Sequence, residues 1–176
     1  MTDPLLARLP NAVARQSWLD PAASWMAARA NRALHSPKFL ALAQGKWLGH
    51  PVHPALTDLP IGFWTSAFML DIAGGHRAAP AARRLIGWGN LSAVPTAIAG
   101  FADAKELGHD DRRIAVTHAA LNIGGLAAYV VSYFARRGPG RKAAIASSFI
   151  GAALLTVSAH LGGHLALGST EADAEF

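Results

Sequence analysis

Residues 114–135 read IAVTHAALNIGGLAAYVVSYFA and contain no Asp, Glu, Lys or Arg. An apolar stretch of about 20 residues is long enough to cross the hydrocarbon core of a bilayer as an α-helix. Residues 85–102 and 143–170 lack the same charged residues, and residues 54–74 carry only two Asp, each near an end of the stretch. The sequence therefore predicts four transmembrane helices.

The overall composition also favours a membrane protein. Hydrophobic residues make up 52% of the 176-residue chain and charged residues only 15%, whereas soluble domains contain about 25% charged residues. A disordered chain is excluded, because disorder requires low hydrophobicity together with high net charge. The chain has no cysteine, which excludes disulfides, Cys-ligated metal centres and thiol catalysis.

Basic residues exceed acidic ones and give the chain a net charge of +5. The 16 Lys and Arg are scattered between the apolar stretches and form no patch with interleaved aromatic residues. Membrane proteins carry such residues in their loops. We therefore expect the lipid bilayer as a partner of this chain, and no nucleic acid.

The chain divides into three predicted parts. Turn signals and charges between the apolar stretches predict an all-α, up-down four-helix bundle over residues 49–168. Residues 1–48 lack a signal-peptide pattern, and their Asp-Pro and Ser-Pro pairs open short helical patterns that predict amphipathic helices in the membrane interface. Residues 169–176 form an acidic tail. No internal repeat is evident in the sequence.

Ionisable side chains are predicted to gather at one end of the bundle. Side A is the end at which the first span begins, and side B is the opposite end. Counting along the alternating spans places two carboxylates and five histidines near side A: Asp58, Asp103, His50, His53, His118, His160 and His164. Ionisable groups in a membrane are costly and usually face a functional interior, so this layer is the candidate site.

Side B carries a different signal. Asp71 lies near the end of the first span, and we expect it to cap a helix or to pair with a loop arginine. Seven Lys and Arg lie in the side-B loops close to a span end, against five near side A. The positive-inside rule then predicts that side B is cytoplasmic and that both termini are outside.

A group of short motifs resembles a known bacterial family. The motifs are Gly49-His50-Pro51-Val52-His53-Pro54, Leu59-Pro60-Ile61-Gly62, Gly100, Asp103, His118, Leu121-Asn122 and Leu161-Gly162-Gly163-His164-Leu165. Over roughly residues 46–168 the chain resembles the membrane family called domain of unknown function 2231. The resemblance implies a four-helix protein of the bacterial cytoplasmic membrane, and it marks His50, His53 and His118 most firmly.

Some members of that family are fused at the C-terminus to a Rieske iron–sulfur domain, which implies electron transfer. This chain ends at Phe176 after its acidic tail. The resemblance therefore implies a separate Rieske-type or other redox protein as a partner, with quinone as an alternative. We expect an electron carrier more than a stand-alone enzyme.

The leading hypothesis is a b-type haem protein. His118 and His53 would be its axial ligands, with His160 as the substitute for His53. Two carboxylates, Asp58 and Asp103, would orient the ligands or the haem propionates. The cofactor-binding candidates are thus His53, His118, His160, His50, Asp58 and Asp103.

Two other functions stay open. A single transition-metal ion could be held by His53, His118, His160 and His164, because His160 and His164 share one helix face as two ligands of one ion would. Alternatively, the bundle could be a structural subunit that anchors or assembles a membrane complex, with its histidines hydrogen-bonded between helices.

Overall fold

The computed structural model of the chain describes residues 8–173, with side chains up to residue 167. This part of the chain contains helices and turns and no strand, which confirms the predicted all-α class. Seven α-helices follow one another within residues 8–173: α1 (Leu9–Ala14), α2 (Asp20–Ala33), α3 (Pro37–Ala43), α4 (His53–Ala73), α5 (Ala79–Asp103), α6 (His109–Ala135) and α7 (Arg141–Asp173). The start of the predicted N-terminal segment, residues 1–7, and the end of the acidic tail, residues 174–176, lie outside the described residues.

Proline and glycine set several helix ends. Pro54 and Pro80 stand in the first turns of α4 and α5, where the N–H that proline lacks would have no helical partner. Gly75, in the turn between these helices, has a φ of +56°, a left-handed conformation that glycine adopts without strain. These signals separate α4 from α5 as the sequence predicts.

Within residues 8–167, three helices are long and apolar enough to cross a membrane: Ala79–Glu106, which is α5 with the turn after it, His109–Ala135 and Arg141–Leu167. They correspond to three of the four predicted spans. α4, whose 21 residues include Asp58 and Asp71, is not among them. The first of the four spans therefore stays a prediction.

The four long helices form two hairpins, α4 with α5 and α6 with α7, and the helices pack more extensively within a hairpin than between hairpins. Three pairs of residues join α4 to α6: His53 with His118, Trp64 with Tyr129, and Asp71 with Arg136. The same sequence offset separates the members of every pair. The equal offset means that α4 and α6 run parallel and in register, which is the arrangement of two hairpins related by an approximate two-fold axis along the bundle.

The second helices of the two hairpins repeat as well. Gly89, Thr96 and Gly100 of α5 have the same spacing as Gly151, Ser158 and Gly162 of α7. Gly89 packs against Trp64, and Gly151 packs against Tyr129. The bundle is therefore an internal repeat of one two-helix unit, a feature that was not evident in the sequence.

The core lies midway along the axis. The rings of Trp64 and Tyr129 stack with their centroids 4.3 Å apart and their planes only 4° from parallel. Ala67, Ala82 and Ile86 are buried around them. This stack joins the two hairpins between the polar pairs of side A and side B.

The N-terminal helices are docked on the side-A end of the bundle. Arg113 of α6 donates two hydrogen bonds to the Asp20 carboxylate, at 2.6 and 3.0 Å, and one to the Ala14 carbonyl at 2.7 Å. Hydrogen bonding to Arg113 holds the pKa of Asp20 below its ordinary value of 3.8. The link therefore weakens as the pH falls through that lowered pKa. The Lys105 ammonium adds a hydrogen bond to the Leu34 carbonyl at 3.0 Å.

The two sides of α2 carry different side chains. Ala23, Met26 and Ala30 are buried, whereas Trp25 and Trp18, which stands just before the helix, expose 62% and 73% of their surfaces. The buried side packs on protein, and the large aromatic residues face outward. Trp is enriched where membrane meets water, so these exposed rings favour a position in the membrane interface. The placement of this segment in the interface stays a prediction.

Candidate functional site

His53 and His118 meet at side A, on the two-fold axis of the bundle. His53 is the first residue of α4, and His118 lies in the N-terminal half of α6. Their ring centroids are 6.4 Å apart, and the ring planes are nearly perpendicular at 89°. Two of the histidines assigned to the side-A layer are therefore in contact, although they come from different hairpins.

Each imidazole is oriented by a backbone carbonyl from the other helix of its own hairpin. Nδ1 of His53 lies 2.9 Å from the carbonyl oxygen of Thr96, and Nδ1 of His118 lies 2.8 Å from that of Ser158. A carbonyl oxygen only accepts hydrogen bonds, so Nδ1 carries a proton in both rings. Metal-binding histidines commonly donate such a hydrogen bond from one ring nitrogen and bind the metal with the other. Here the nitrogen that could bind a metal is Nε2.

His118 has further hydrogen bonds. The Ser158 hydroxyl lies 2.9 Å from Nδ1 of His118 and donates to the His118 carbonyl at 3.0 Å. Nδ2 of Asn122 donates to Nε2 of His118 at 2.9 Å. Because an amide nitrogen only donates, Nε2 is unprotonated and the ring is neutral. A cofactor that binds at Nε2 would take the place of Asn122.

A glycine lies against each ring. A Cβ atom added at Gly100 would stand 2.7 Å from Cε1 of His53, and one added at Gly162 would stand 2.7 Å from Cε1 of His118. These distances are too short for a carbon–carbon contact. The two glycines therefore let the rings approach the backbones of α5 and α7 closely enough to reach their carbonyls.

We expect Gly162→Ala to be less stable than Gly163→Ala by about 1 kcal/mol, because the new methyl group pushes His118 off the Ser158 carbonyl and a hydrogen bond is worth about 0.5–1.5 kcal/mol. Gly163 is the matched control, since nothing lies within 4 Å of a Cβ atom added there. Both changes gain the same helix propensity. Unfolding in detergent measures the difference, and equal stabilities would contradict the packing of His118 on α7.

His160 and His164 lie on a different side of α7. They stand two residues before and two residues after Gly162, and residues two apart on a helix point in nearly opposite directions. Gly162 faces His118, so both of these half-buried side chains are directed away from the His118 ring. His118, His160 and His164 therefore lie at a similar depth in the bundle, but the side chains of His160 and His164 do not point towards His118.

The remaining predicted residues also lie apart from the pair. His50 is exposed before α4, Asp58 is exposed on α4, and Asp103 is half-buried at the end of α5. Within residues 8–167, neither Asp58 nor Asp103 forms a hydrogen bond with His53 or His118. In the same range no group of three or more His, Asp or Glu side chains is arranged to hold a metal ion.

Sequence reasoning missed Thr96 and Ser158, because a backbone carbonyl acts in the same way in every residue type. Their side chains offer the usable signal. In both α5 and α7 a Thr or Ser stands four residues before the glycine that supports the histidine. Each hydroxyl also donates to a carbonyl of the preceding helix, at 3.1 Å for Thr96 and 3.0 Å for Ser158.

The chain matches the family model described as "Predicted membrane protein (DUF2231)" over residues 49–170. This match spans α4, α5, α6 and most of α7, and it includes both histidines of the pair. The chain therefore belongs to this family of membrane proteins. No curated protein and no solved structure matches it.

Proposed function

We propose that this membrane protein binds haem b between His53 and His118 and transfers single electrons. The pair itself carries the proposal: two imidazoles from different hairpins meet with Nδ1 bonded to a carbonyl, so Nε2 is the atom of each ring that would bind iron. At His118 the iron would replace the hydrogen bond from Asn122. A haem with two histidine ligands takes them from facing helices of a bundle. The hydrogen bonds and the glycines hold both rings at the axis.

The pair favours haem over a single metal ion. Zinc sites use three or four protein ligands, whereas within residues 8–167 no third His, Asp or Glu joins the two rings in a metal-binding group. Haem iron requires only two axial ligands, because the porphyrin supplies its other four. A site that included His160 and His164 would require α7 to rotate.

The two-fold repeat supports α4 as the fourth span. α4 is the counterpart of α6, which has the length and composition of a span. Contacts between counterparts at both ends, His53 with His118 and Asp71 with Arg136, keep the two helices at the same depth. Pairing with Arg136 also reduces the cost of an Asp at the end of a membrane helix.

The side chains of the pair would hold the cofactor, and the apolar helices around them would exclude water. Bound haem supplies one-electron chemistry, in which iron alternates between its ferric and ferrous states. The proposed electron donor is a reduced one-electron carrier such as a separate Rieske-type iron–sulfur protein. The proposed acceptor is quinone or another carrier in the bilayer.

We place the protein in the bacterial cytoplasmic membrane, with side B in the cytoplasm and both termini outside, from the excess of Lys and Arg in the side-B loops. The chain has no cysteine, so single cysteines can be introduced at Ser169 and Gly138. In intact cells a membrane-impermeant thiol reagent should label position 169 and not position 138. The reverse result would invert the assignment.

The optical spectrum of the purified, detergent-solubilised protein tests the haem proposal. Protein expressed with a haem supply should show a Soret band, with α and β bands after reduction. Colourless protein that contains stoichiometric zinc, iron or copper would favour the metal-ion function. Colourless, metal-free and stable protein would favour a structural role in a membrane complex.

A further inference from the structure

A second polar site lies at side B, at the opposite end of the bundle from the histidine pair. A cavity of about 400 Å³ opens between the ends of α5 and α6 and is lined by His76, Ala79, Pro80, Arg83, Arg136 and Arg137. An adjoining cavity of about 260 Å³ shares three of these residues and adds Arg141 to the wall. Both cavities are open to the surface, and the first is large enough to admit a phosphate group.

The positive charge around these cavities exceeds the negative charge beside them. Four arginines border them, and the neighbouring carboxylate is Asp71, which is bound by Arg136 and Arg141. The side-B loops, residues 74–84 and 136–142, contain no Asp or Glu. The cavities therefore carry a strong excess of positive charge.

Arg83 and Arg137 are held by aromatic rings and not by acids. The Arg83 guanidinium lies 4.6 Å from the ring centroid of Tyr133, and its Nε donates to the Tyr133 carbonyl at 3.4 Å. The Arg137 guanidinium lies 4.7 Å from the ring of Phe134 and 5.6 Å from that of Tyr133. In the described part of the chain neither arginine forms an ion pair with a carboxylate, so both charges are available to an anionic ligand.

The N-terminus of α5 adds to the positive electrostatic potential of the cavities. Ala79, its first residue, lies in the cavity wall. The N-terminus of a long helix carries a partial positive charge and presents backbone N–H groups, which favours anions. Guanidinium groups match the geometry of phosphate oxygens and bind them through paired, charge-assisted hydrogen bonds.

We propose that the side-B cavity binds a phosphate group between Arg83 and Arg137, the two arginines of its wall that have no carboxylate partner in the described part of the chain. The site is independent of the histidine pair and of any haem bound there. The phosphate could belong to the headgroup of an anionic phospholipid or to a soluble phosphate compound. Its position at the end of the membrane helices places the cavity at the depth where lipid headgroups lie.

Binding measurements on the full-length protein in an uncharged detergent test this proposal. The probes are short-chain phosphatidylglycerol, phosphatidylcholine of equal chain length, and inorganic phosphate. We expect Arg83→Gln with Arg137→Gln to weaken binding of the preferred anion at least about ten-fold, because two charge-assisted contacts are lost. The matched control is Arg77→Gln with Arg84→Gln, which removes the same charge from exposed residues outside the cavity wall.

Each outcome is informative. Binding of phosphatidylglycerol alone assigns the site to an anionic lipid headgroup, whereas equally tight binding of inorganic phosphate assigns it to a soluble phosphate compound. Equal weakening by the two double variants, or no binding of either anion by the unchanged protein, would overturn the proposal. If the double variant does not fold, Arg137→Gln alone repeats the test at an exposed position, and an affinity unchanged from the parent protein would then overturn it.

Discussion

Replacing His118 with alanine is expected to abolish haem binding, so that the purified variant shows no Soret band. His109 is the other histidine of α6, and it is exposed at the start of the helix, far from the site. No side chain of α6 can therefore replace the lost ligand. His164→Ala is expected to retain most of the haem, because that side chain is directed away from His118. Haem content per protein measures both.

The two-fold repeat predicts that His53→Ala loses haem as fully as His118→Ala does. Added imidazole should restore the Soret band in either variant, because it can occupy the space of the lost ring and supply the missing nitrogen. Rescue of this kind separates loss of a ligand from misfolding. Equal cofactor loss in His118→Ala and His164→Ala would contradict the haem site and favour a metal ion shared by α6 and α7.

The spans could be predicted because a bilayer imposes one simple condition, a long run without charge. Residues 114–135 and 143–170 meet it and become α6 and α7. The position of Asp71 near a span end predicts that it caps a helix or pairs with a loop arginine. Its ion pairs with Arg136 and Arg141 confirm the pairing with arginine. Both predictions rest on the cost of charge in an apolar medium, which depends little on neighbouring helices.

The candidate site could be predicted only in part. Counting residues along a span gives depth, so His118, His160 and His164 fall in one layer. The direction of each side chain depends on rotation about the helix axis, which packing decides. The contact between Gly162 and His118 fixes the rotation of α7. The positions of the histidines in the sequence do not predict this contact.

The repeat could not be recognised from the sequence, because its two halves share few residue types. Trp64 corresponds to Tyr129, and Asp71 corresponds to Arg136, a reversal of charge. What repeats is a spacing: a histidine followed by an aromatic residue in the first helix, and Gly-x6-Ser/Thr-x3-Gly in the second. Those positions are in contact in the structure, so the repeat is visible in the contacts more clearly than in the residue types.

Asp71→Ala is expected to destabilise the protein by about 3–5 kcal/mol, the cost of removing one partner of a buried ion pair. The side chains of Asp71 and Arg136 are only 4% and 3% exposed, so the variant leaves a guanidinium without a counter-charge inside the bundle. Asp58→Asn on the same helix is the control. Asp58 is exposed and forms no ion pair in the described part of the chain, so a change below about 0.5 kcal/mol is expected.

The two-fold axis makes a sharper prediction for the same pair. Because Asp71 and Arg136 are counterparts, the double variant Asp71→Arg with Arg136→Asp rebuilds the ion pair with its charges exchanged and should be more stable than either single change. Recovery should be incomplete. Arg136 also donates to the hydroxyls of Ser132 and Ser148, at 3.2 and 3.4 Å.

The counterparts of these serines, Ala67 and Ile86, offer no acceptor to an arginine at position 71, and each unmade hydrogen bond costs about 1–3 kcal/mol. Unfolding of the two single variants and the double variant in detergent measures the coupling between the positions. A double variant no more stable than Asp71→Arg alone would show that the two hairpins are not equivalent at side B, even though their histidines and aromatic rings meet on one axis.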